Sequence, residues 1–175
     1  MDLRGNVALV TGAAGPIGAA VSVRLAGLGA SVAVLDRRPD AVAERIVSTG
    51  GHVLALTADV ADQHSVRAAV GRLLTAWERI DIVVTGAEAL GTVGPAVAGF
   101  LPEAARTSSR AVADLVVLAG SAEPAGMEWP QRLADQQVRL DVLAVPDGPP
   151  VEDLCGQVLA LICRPCRPPA VPVGA

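Results

Sequence analysis

The stretch VALVTGAAGPIGAAV, Val7 to Val21, decides the fold of this 175-residue chain. An apolar run of strand length leads into a glycine-rich turn, and apolar residues at helical spacing follow over residues 17–28. The first amides of a helix have no intrahelical acceptor and the helix dipole favours negative charge, so this order of elements indicates an anion site. Glycine allows positive φ and close approach to a pyrophosphate. Asp36, which ends the next strand pattern, is placed to accept the hydroxyls of a ribose.

The rest of the chain keeps alternating strand and helix patterns. Strands are predicted over residues 7–11, 31–35, 53–57, 80–84, 115–119 and 138–145, with a last edge strand over 170–173. Helices are predicted over residues 17–28, 41–48, 102–110 and 151–163, with one more capped by Asp62, while 91–99 indicates a loop. Apolar strands alternating with amphipathic helices predict an α/β fold, a Rossmann-like doubly wound parallel sheet of about six to seven strands. Without a repeat or a long linker, residues 1–175 are predicted to form one domain, with a nucleotide-binding half over 1–90.

Composition narrows the class of protein. Hydrophobic residues make up 51% of the chain and charged residues 18%, which favours a packed core over disorder. The net charge of −4 argues against a nucleic-acid surface. No apolar run has the length of a membrane span and the N-terminus lacks signal-peptide features, so a cytoplasmic location is expected. Three cysteines, Cys155, Cys163 and Cys166, are an odd number that argues against a disulfide framework.

The motifs together resemble the short-chain dehydrogenase/reductase family. Its fingerprint T-G-x-x-x-G-x-G is matched by Thr11, Gly12 and Gly18, with Pro16 at the middle glycine. Other segments resemble the family's adenine-contacting Asp-Val pair, its N-N-A-G segment (here Thr85-Gly86-Ala87-Glu88) and the strand that leads to its catalytic serine, at Ser121. The cofactor-binding residues that the resemblance implies are Thr11, Gly12, Gly15, Pro16, Ile17, Gly18, Asp36, Arg37, Asp59, Val60 and Ala87.

The sequence departs from this family in ways that affect catalysis and binding. The family uses a tyrosine and a lysine on one helix, but the chain contains neither residue type, and only a short segment separates Ser121 from the next strand. The resemblance therefore implies no intact catalytic residue, a vestigial Ser121 and a reduced second half over residues 91–175. Pro16 removes a backbone donor and Glu88 replaces a glycine, which leaves weak NAD binding or its loss as the two expectations. NADP is less favoured, because Asp36 would repel a 2′-phosphate despite the neighbouring Arg37.

No metal site is predicted. The other reactive side chains are interpreted as solvated or structural groups: Glu128, Asp135, His52, His64, Cys155, Cys163 and Cys166. The leading hypothesis is an inactive subunit that keeps a dinucleotide-binding scaffold and partners a full-length reductase of the same family, or forms a homo-oligomer. One alternative is a repurposed lyase, isomerase or cyclase that uses Ser121, Asp141 or Glu128. A third is an NAD-sensing regulator that depends on Asp36 and Asp59, and a fourth is a decayed reductase without a present role.

Overall fold

Six parallel strands form one sheet in this computed structural model, which describes residues 2–98, 100–101, 113–119, 138–145 and 150–163. The strands are β1 (Val7–Thr11), β2 (Ser31–Asp36), β3 (His52–Thr57), β4 (Ile82–Gly86), β5 (Ala113–Ala119) and β6 (Val138–Ala144). Their order is β3-β2-β1-β4-β5-β6, and every neighbouring pair is parallel. This order confirms the predicted Rossmann-like α/β fold.

Helices cover both faces of the sheet. They are α1 (Pro16–Gly27), α2 (Asp40–Ser48), α3 (Gln63–Trp77), α4 (Leu90–Val97) and α5 (Val151–Ile162). Helices α3 and α4 pack on one face, and α1, α2 and α5 pack on the other. Strand β1 serves both cores, because Val7 and Leu9 point to the first face while Ala8 and Val10 point to the second. All five residues of β1 are buried, as expected of a central parallel strand.

The prediction of a loop over residues 91–99 was wrong, because α4 occupies most of this segment. Leu90, Val93 and Val97 are buried at helical spacing and pack against the core on the α3 side. That burial stabilises the helix although Pro95 lies inside it, where a proline removes one backbone hydrogen bond. Glycine and proline content is a local signal, and here tertiary packing outweighs it.

The ends of the other predicted elements differ from the structure by one or two residues. Strand β4 begins at Ile82 and not at residue 80, because Asp81 is fixed just before it. The buried Asp81 carboxylate accepts a hydrogen bond from the Val7 amide at 2.8 Å and another from Arg79 Nε at 2.9 Å. The predicted cap of α3 is confirmed, since Asp62 Oδ1 accepts from the His64 amide at 2.9 Å. The segments predicted over 102–110 and 170–173 lie outside the described residues.

Candidate functional site

A cleft lies where the strand order reverses. Strand β1 pairs with β2 on one side and β4 on the other, so the connections after β1 and β4 lead to opposite faces of the sheet and leave a crevice between their carboxyl ends. The cleft has a volume of about 280 Å³, near the lower end of the range for small-molecule pockets. Its lining residues come from the ends of β1, β4, β5 and β6 and from the start of α1: Thr11, Gly12, Gly15, Pro16, Ile17, Gly18, Gly86, Glu88, Leu118 and Val145.

The glycine-rich turn forms one wall of this cleft. Gly12 has a φ of +63°, a left-handed conformation that favours glycine. The Gly15 amide donates to the Gly12 carbonyl at 3.0 Å, and the Ala19 amide donates to the Gly15 carbonyl at 2.9 Å, which starts α1. The amides of Ile17 and Gly18 precede this first intrahelical bond. The wall therefore presents helix N-terminal amides, the arrangement that binds phosphate groups.

Gly18 allows α1 to lie directly against the turn. A Cβ atom at this position would stand 2.9 Å from the carbonyl carbon of Gly12 and closer still to its oxygen. Pro16 occupies the first turn of α1, where its missing N–H is tolerated by the helix but offers nothing to a ligand. The predicted residues Thr11, Gly12, Gly15, Pro16, Ile17 and Gly18 are thus brought together in one wall; that they bind a cofactor remains a prediction.

Asp36 stands beside the glycine-rich turn at the end of β2. Its Oδ2 accepts a hydrogen bond from the Ala14 amide at 3.1 Å, and its Oδ1 accepts from the Arg38 amide at 3.1 Å. These bonds hold a half-buried carboxylate next to the loop, in the position that suits recognition of a ribose. Arg37 follows it on the surface. Neither Asp36 nor Arg37 lines the cleft itself.

The Asp59-Val60 pair lies on the loop between β3 and α3. Asp59 Oδ1 accepts from the Ala61 amide at 2.9 Å, which fixes the loop locally. The Val60 carbonyl lies 2.6 Å from Thr92 Oγ1, so this loop is tied to α4. The sequence did not single out Thr92, because its segment was predicted to be a loop. The helical spacing of the buried residues Leu90, Val93 and Val97 is the signal that could have indicated a helix here. Asp59, Val60 and the half-buried Ala87 all lie outside the lining of the cleft.

A second wall of the cleft, formed after β4, carries the charged residue Glu88. Glu88 follows β4 in a short 3₁₀ turn, Ala87–Ala89, and its carboxylate folds back over Gly86. A Cβ atom at Gly86 would stand 2.5 Å from Glu88 Cδ, so the carboxylate occupies the space that a side chain at residue 86 would take. Below them, the hydroxyls of Thr11 and Thr85 are hydrogen-bonded at 2.8 Å across the ends of β1 and β4. Four further residues complete the lining of the cleft, and the sequence analysis predicts none of them as a cofactor-binding residue: Gly86, Glu88, Leu118 and Val145.

The remaining candidate residues do not join this site. Ser121, Glu128, Asp135 and Cys166 lie outside the described residues. His52, at the start of β3, and His64, in the first turn of α3, are exposed. Within the described ranges, no group of three His, Cys, Asp or Glu side chains is arranged to hold a metal ion. No helix in the described part of the chain is long and apolar enough to cross a membrane.

Two acidic residues and two cysteines lie in ion pairs, in the core or at the end of a helix, away from the cleft. Arg139 on β6 donates to the buried Asp114 at 2.7 Å, and its Nε lies 3.8 Å from Asp141. Cys155 is fully buried on α5 in the core shared with α1. Burial raises the pKa of the Cys155 thiol, and the positive charge of Arg24 opposes this only in part. Cys163, just after α5, is half-buried. None of these four groups lines the cleft.

The chain is similar in sequence to proteins of one family. The family model for short chain dehydrogenases matches residues 6–105, which is more than half of the chain. Cyclohexanol dehydrogenase from Rhodococcus sp. strain TK6 is 39% identical over 102 residues, a match that covers 50% of this chain and 38% of that relative. The matched stretch thus spans well under two thirds of the relative's length.

Solved structures share the fold at lower sequence identity. The NADH-dependent reductase A1-R′ complexed with NAD has a TM-score of 0.79 and 15% identity, with 91% of this chain and 89% of that chain covered. A metagenomic short-chain oxidoreductase in complex with NADP has a TM-score of 0.70 and 23% identity, with 90% of each chain covered. With its parallel sheet, its cleft at the strand-order reversal and its sequence match over residues 6–105, the chain belongs to the short chain dehydrogenase family.

Proposed function

We propose that this chain is a nicotinamide-dinucleotide-binding member of the family that carries out no reductase chemistry alone and works as a subunit beside an active, full-length relative. One observation carries the proposal: the 175 residues contain neither tyrosine nor lysine, the residue types that the family uses to move the substrate proton. A positioned general acid contributes about 10²–10⁴ in rate. The bound nicotinamide would supply hydride transfer, and the residues of this chain offer no proton donor of the usual kind beside it.

The residues of the first wall fit the adenosine and pyrophosphate half of the ligand. Gly12 leaves the turn open, because a Cβ atom there would meet nothing within 4 Å, and Gly18 lets the N-terminus of α1 lie against the turn, where residues of its first turn line the cleft. Asp36 is held beside the turn by the Ala14 and Arg38 amides, where it can accept both hydroxyls of the adenosine ribose. The same carboxylate would repel the 2′-phosphate of NADP. This arrangement supports NAD as the ligand, with Pro16 reducing its affinity.

An apolar stretch on β6 supports the assembly with a partner. Val142 is 49% exposed, and Leu140, two residues earlier on the same face of β6, is half-buried. Within the described residues, β6 pairs only with β5. A strand at the edge of a sheet and an exposed apolar side chain on it together favour contact with another chain. A full-length relative is the partner that we favour, and a second copy of this chain is the alternative occupant.

Calorimetric titration of the purified protein with NAD⁺ and NADP⁺ tests the binding part of the proposal. Asp36→Ala should weaken NAD⁺ binding by about tenfold or more, because it removes hydrogen bonds to a charged acceptor. The matched control is Asp40→Ala, an exposed carboxylate in the first turn of α2 that should leave affinity unchanged. Equal affinities for Asp36→Ala and the unchanged protein would contradict this site.

Co-purification from the source organism, followed by native mass spectrometry, tests the subunit role. The expected result is a defined complex with a family member, and oxidoreductase activity only in fractions that contain that member. Val142→Glu should dissociate the complex, whereas Val47→Glu should not, although Val47 on α2 is even more exposed at 62%. Turnover of alcohol or carbonyl substrates by the isolated chain would refute the inactive role, and a solitary monomer would refute the assembly.

A further inference from the structure

Among the described residues that line the cleft, Glu88 alone carries a charged side chain. We propose that this carboxylate makes the site select the oxidised, cationic form of the nicotinamide dinucleotide over the reduced, neutral form. The inference rests on the proposed function and names the ligand state to which that site responds. It would give the subunit a sensitivity to redox state without any catalysis of its own.

The position of the side chain is set by the end of β4. The 3₁₀ turn over Ala87–Ala89 brings Glu88 back over Gly86, within 2.5 Å of where a Cβ atom would stand. Its companions on that wall are Leu118 and Val145, at the ends of β5 and β6, and both are apolar. Among the described residues Glu88 forms no ion pair. The carboxylate is therefore available to a charge on a ligand in the cleft.

The half of the sheet on which Glu88 lies indicates which part of the dinucleotide would lie near its carboxylate. A doubly wound sheet binds one mononucleotide on each half, with the pyrophosphate at the helix that follows β1. Asp36 and Asp59 lie on the β1–β3 half, which suits adenosine. Glu88 lies on the β4–β6 half and lines the same cleft as the glycine-rich turn. The nicotinamide nucleotide would accordingly occupy the wall that carries Glu88.

The oxidised and reduced ligands isolate the effect of one charge. Both contain the same adenosine, pyrophosphate and second ribose, but the oxidised ring carries a positive charge and the reduced ring carries none. Repulsion between Glu88 and the pyrophosphate weakens both forms alike and cancels in the ratio of their dissociation constants. Glu88 is exposed, so solvent screens its attraction to the ring, and the expected preference is roughly two- to fivefold.

The test compares dissociation constants for NAD⁺ and NADH, measured by calorimetry with the intact chain and with Glu88→Gln. The ratio of the NADH to the NAD⁺ constant should fall by about two- to fivefold in the variant. Glu44→Gln, on the exposed side of α2, should keep the ratio of the unchanged protein. In the unchanged protein the ratio should also shrink in strong salt, a readout that requires no variant.

The outcomes separate this inference from the function on which it rests. Binding of both ligands with the same ratio in the unchanged protein and in Glu88→Gln overturns the role of Glu88 and leaves the nucleotide-binding function standing. A variant that binds both forms more tightly by the same factor also overturns it, since Glu88 would then only repel the pyrophosphate. Absence of binding by either ligand to any of the proteins overturns the inference and the proposed function together.

Discussion

Replacing Gly18 with alanine tests how the glycine-rich turn is built. Gly18 lies in the first turn of α1 and is buried against the end of β1. The added Cβ would stand 2.9 Å from the carbonyl carbon of Gly12 and 3.0 Å from the Cα of Ala13. Ordinary van der Waals contacts begin near 3.4 Å, and the Cβ would stand closer to the Gly12 carbonyl oxygen than to either of these carbons, so the helix and the turn would have to separate by about one ångström. The atoms in the way belong to the backbone and cannot rotate aside.

Two opposing terms set the size of the effect. Alanine is favoured over glycine inside a helix by up to about 1 kcal/mol. Overpacking a well-packed site costs about 1–3 kcal/mol, and here it also disturbs Gly12, whose φ of +63° and hydrogen bond from Gly15 define the turn. We expect Gly18→Ala to lower the free energy of unfolding by about 1–2 kcal/mol and to weaken NAD⁺ binding, because the first amides of α1 move.

Urea unfolding followed by circular dichroism measures this prediction. Gly71→Ala is the matched control, because Gly71 lies inside α3, is exposed, and would place its Cβ in open space. That variant should gain about 0.5–1 kcal/mol from helix propensity alone. If Gly18→Ala were stabilised to the same extent as Gly71→Ala, the close approach of α1 to the turn would be refuted.

Three further predictions concern a buried carboxylate, the proline of the turn and a buried thiol. Asp81→Ala should lower the free energy of unfolding, measured in urea, by about 3 kcal/mol, because it removes a buried carboxylate that is hydrogen-bonded. The control Asp2→Ala, whose ion pair is exposed, should change it by less than about 0.5 kcal/mol. Similar losses in the two variants would contradict the importance of burial. Pro16→Gly restores an amide in the wall and should tighten NAD⁺ binding by about tenfold in calorimetry, while an unchanged affinity would mean that this amide does not reach the ligand. Because burial raises the pKa of Cys155, its folded form keeps its proton at a pH where the unfolded chain has lost it. Stability should therefore be complete below the ordinary thiol pKa of about 8.5 and fall as the pH rises above it. Cys155→Ala should remove this decline, and a decline of equal slope in the variant would refute its origin in Cys155.

Elements with strong local signals were predicted well. Strand β1, the turn and α1 follow from a contiguous stretch in which apolar period, glycine and helix spacing agree. The Asp62 cap of α3 is equally local, since its acceptor and donor are two residues apart. Helix α4 was missed because glycine and proline indicated a loop, while burial of Leu90, Val93 and Val97 against α3 decided the helix.

The sequence by itself determined the fold family and the glycine-rich wall, because both depend on neighbours along the chain. It also fixed the absence of tyrosine and lysine from these 175 residues, on which the proposed loss of catalysis rests. Only the tertiary structure decided the second wall, where Leu118 and Val145 line the same cleft as Glu88 from segments far apart in sequence. The direction of the Glu88 side chain depends on the backbone at the end of β4 and on the space left by Gly86. Strand order brings such residues together, and strand order is set by packing of helices on the two faces of the sheet.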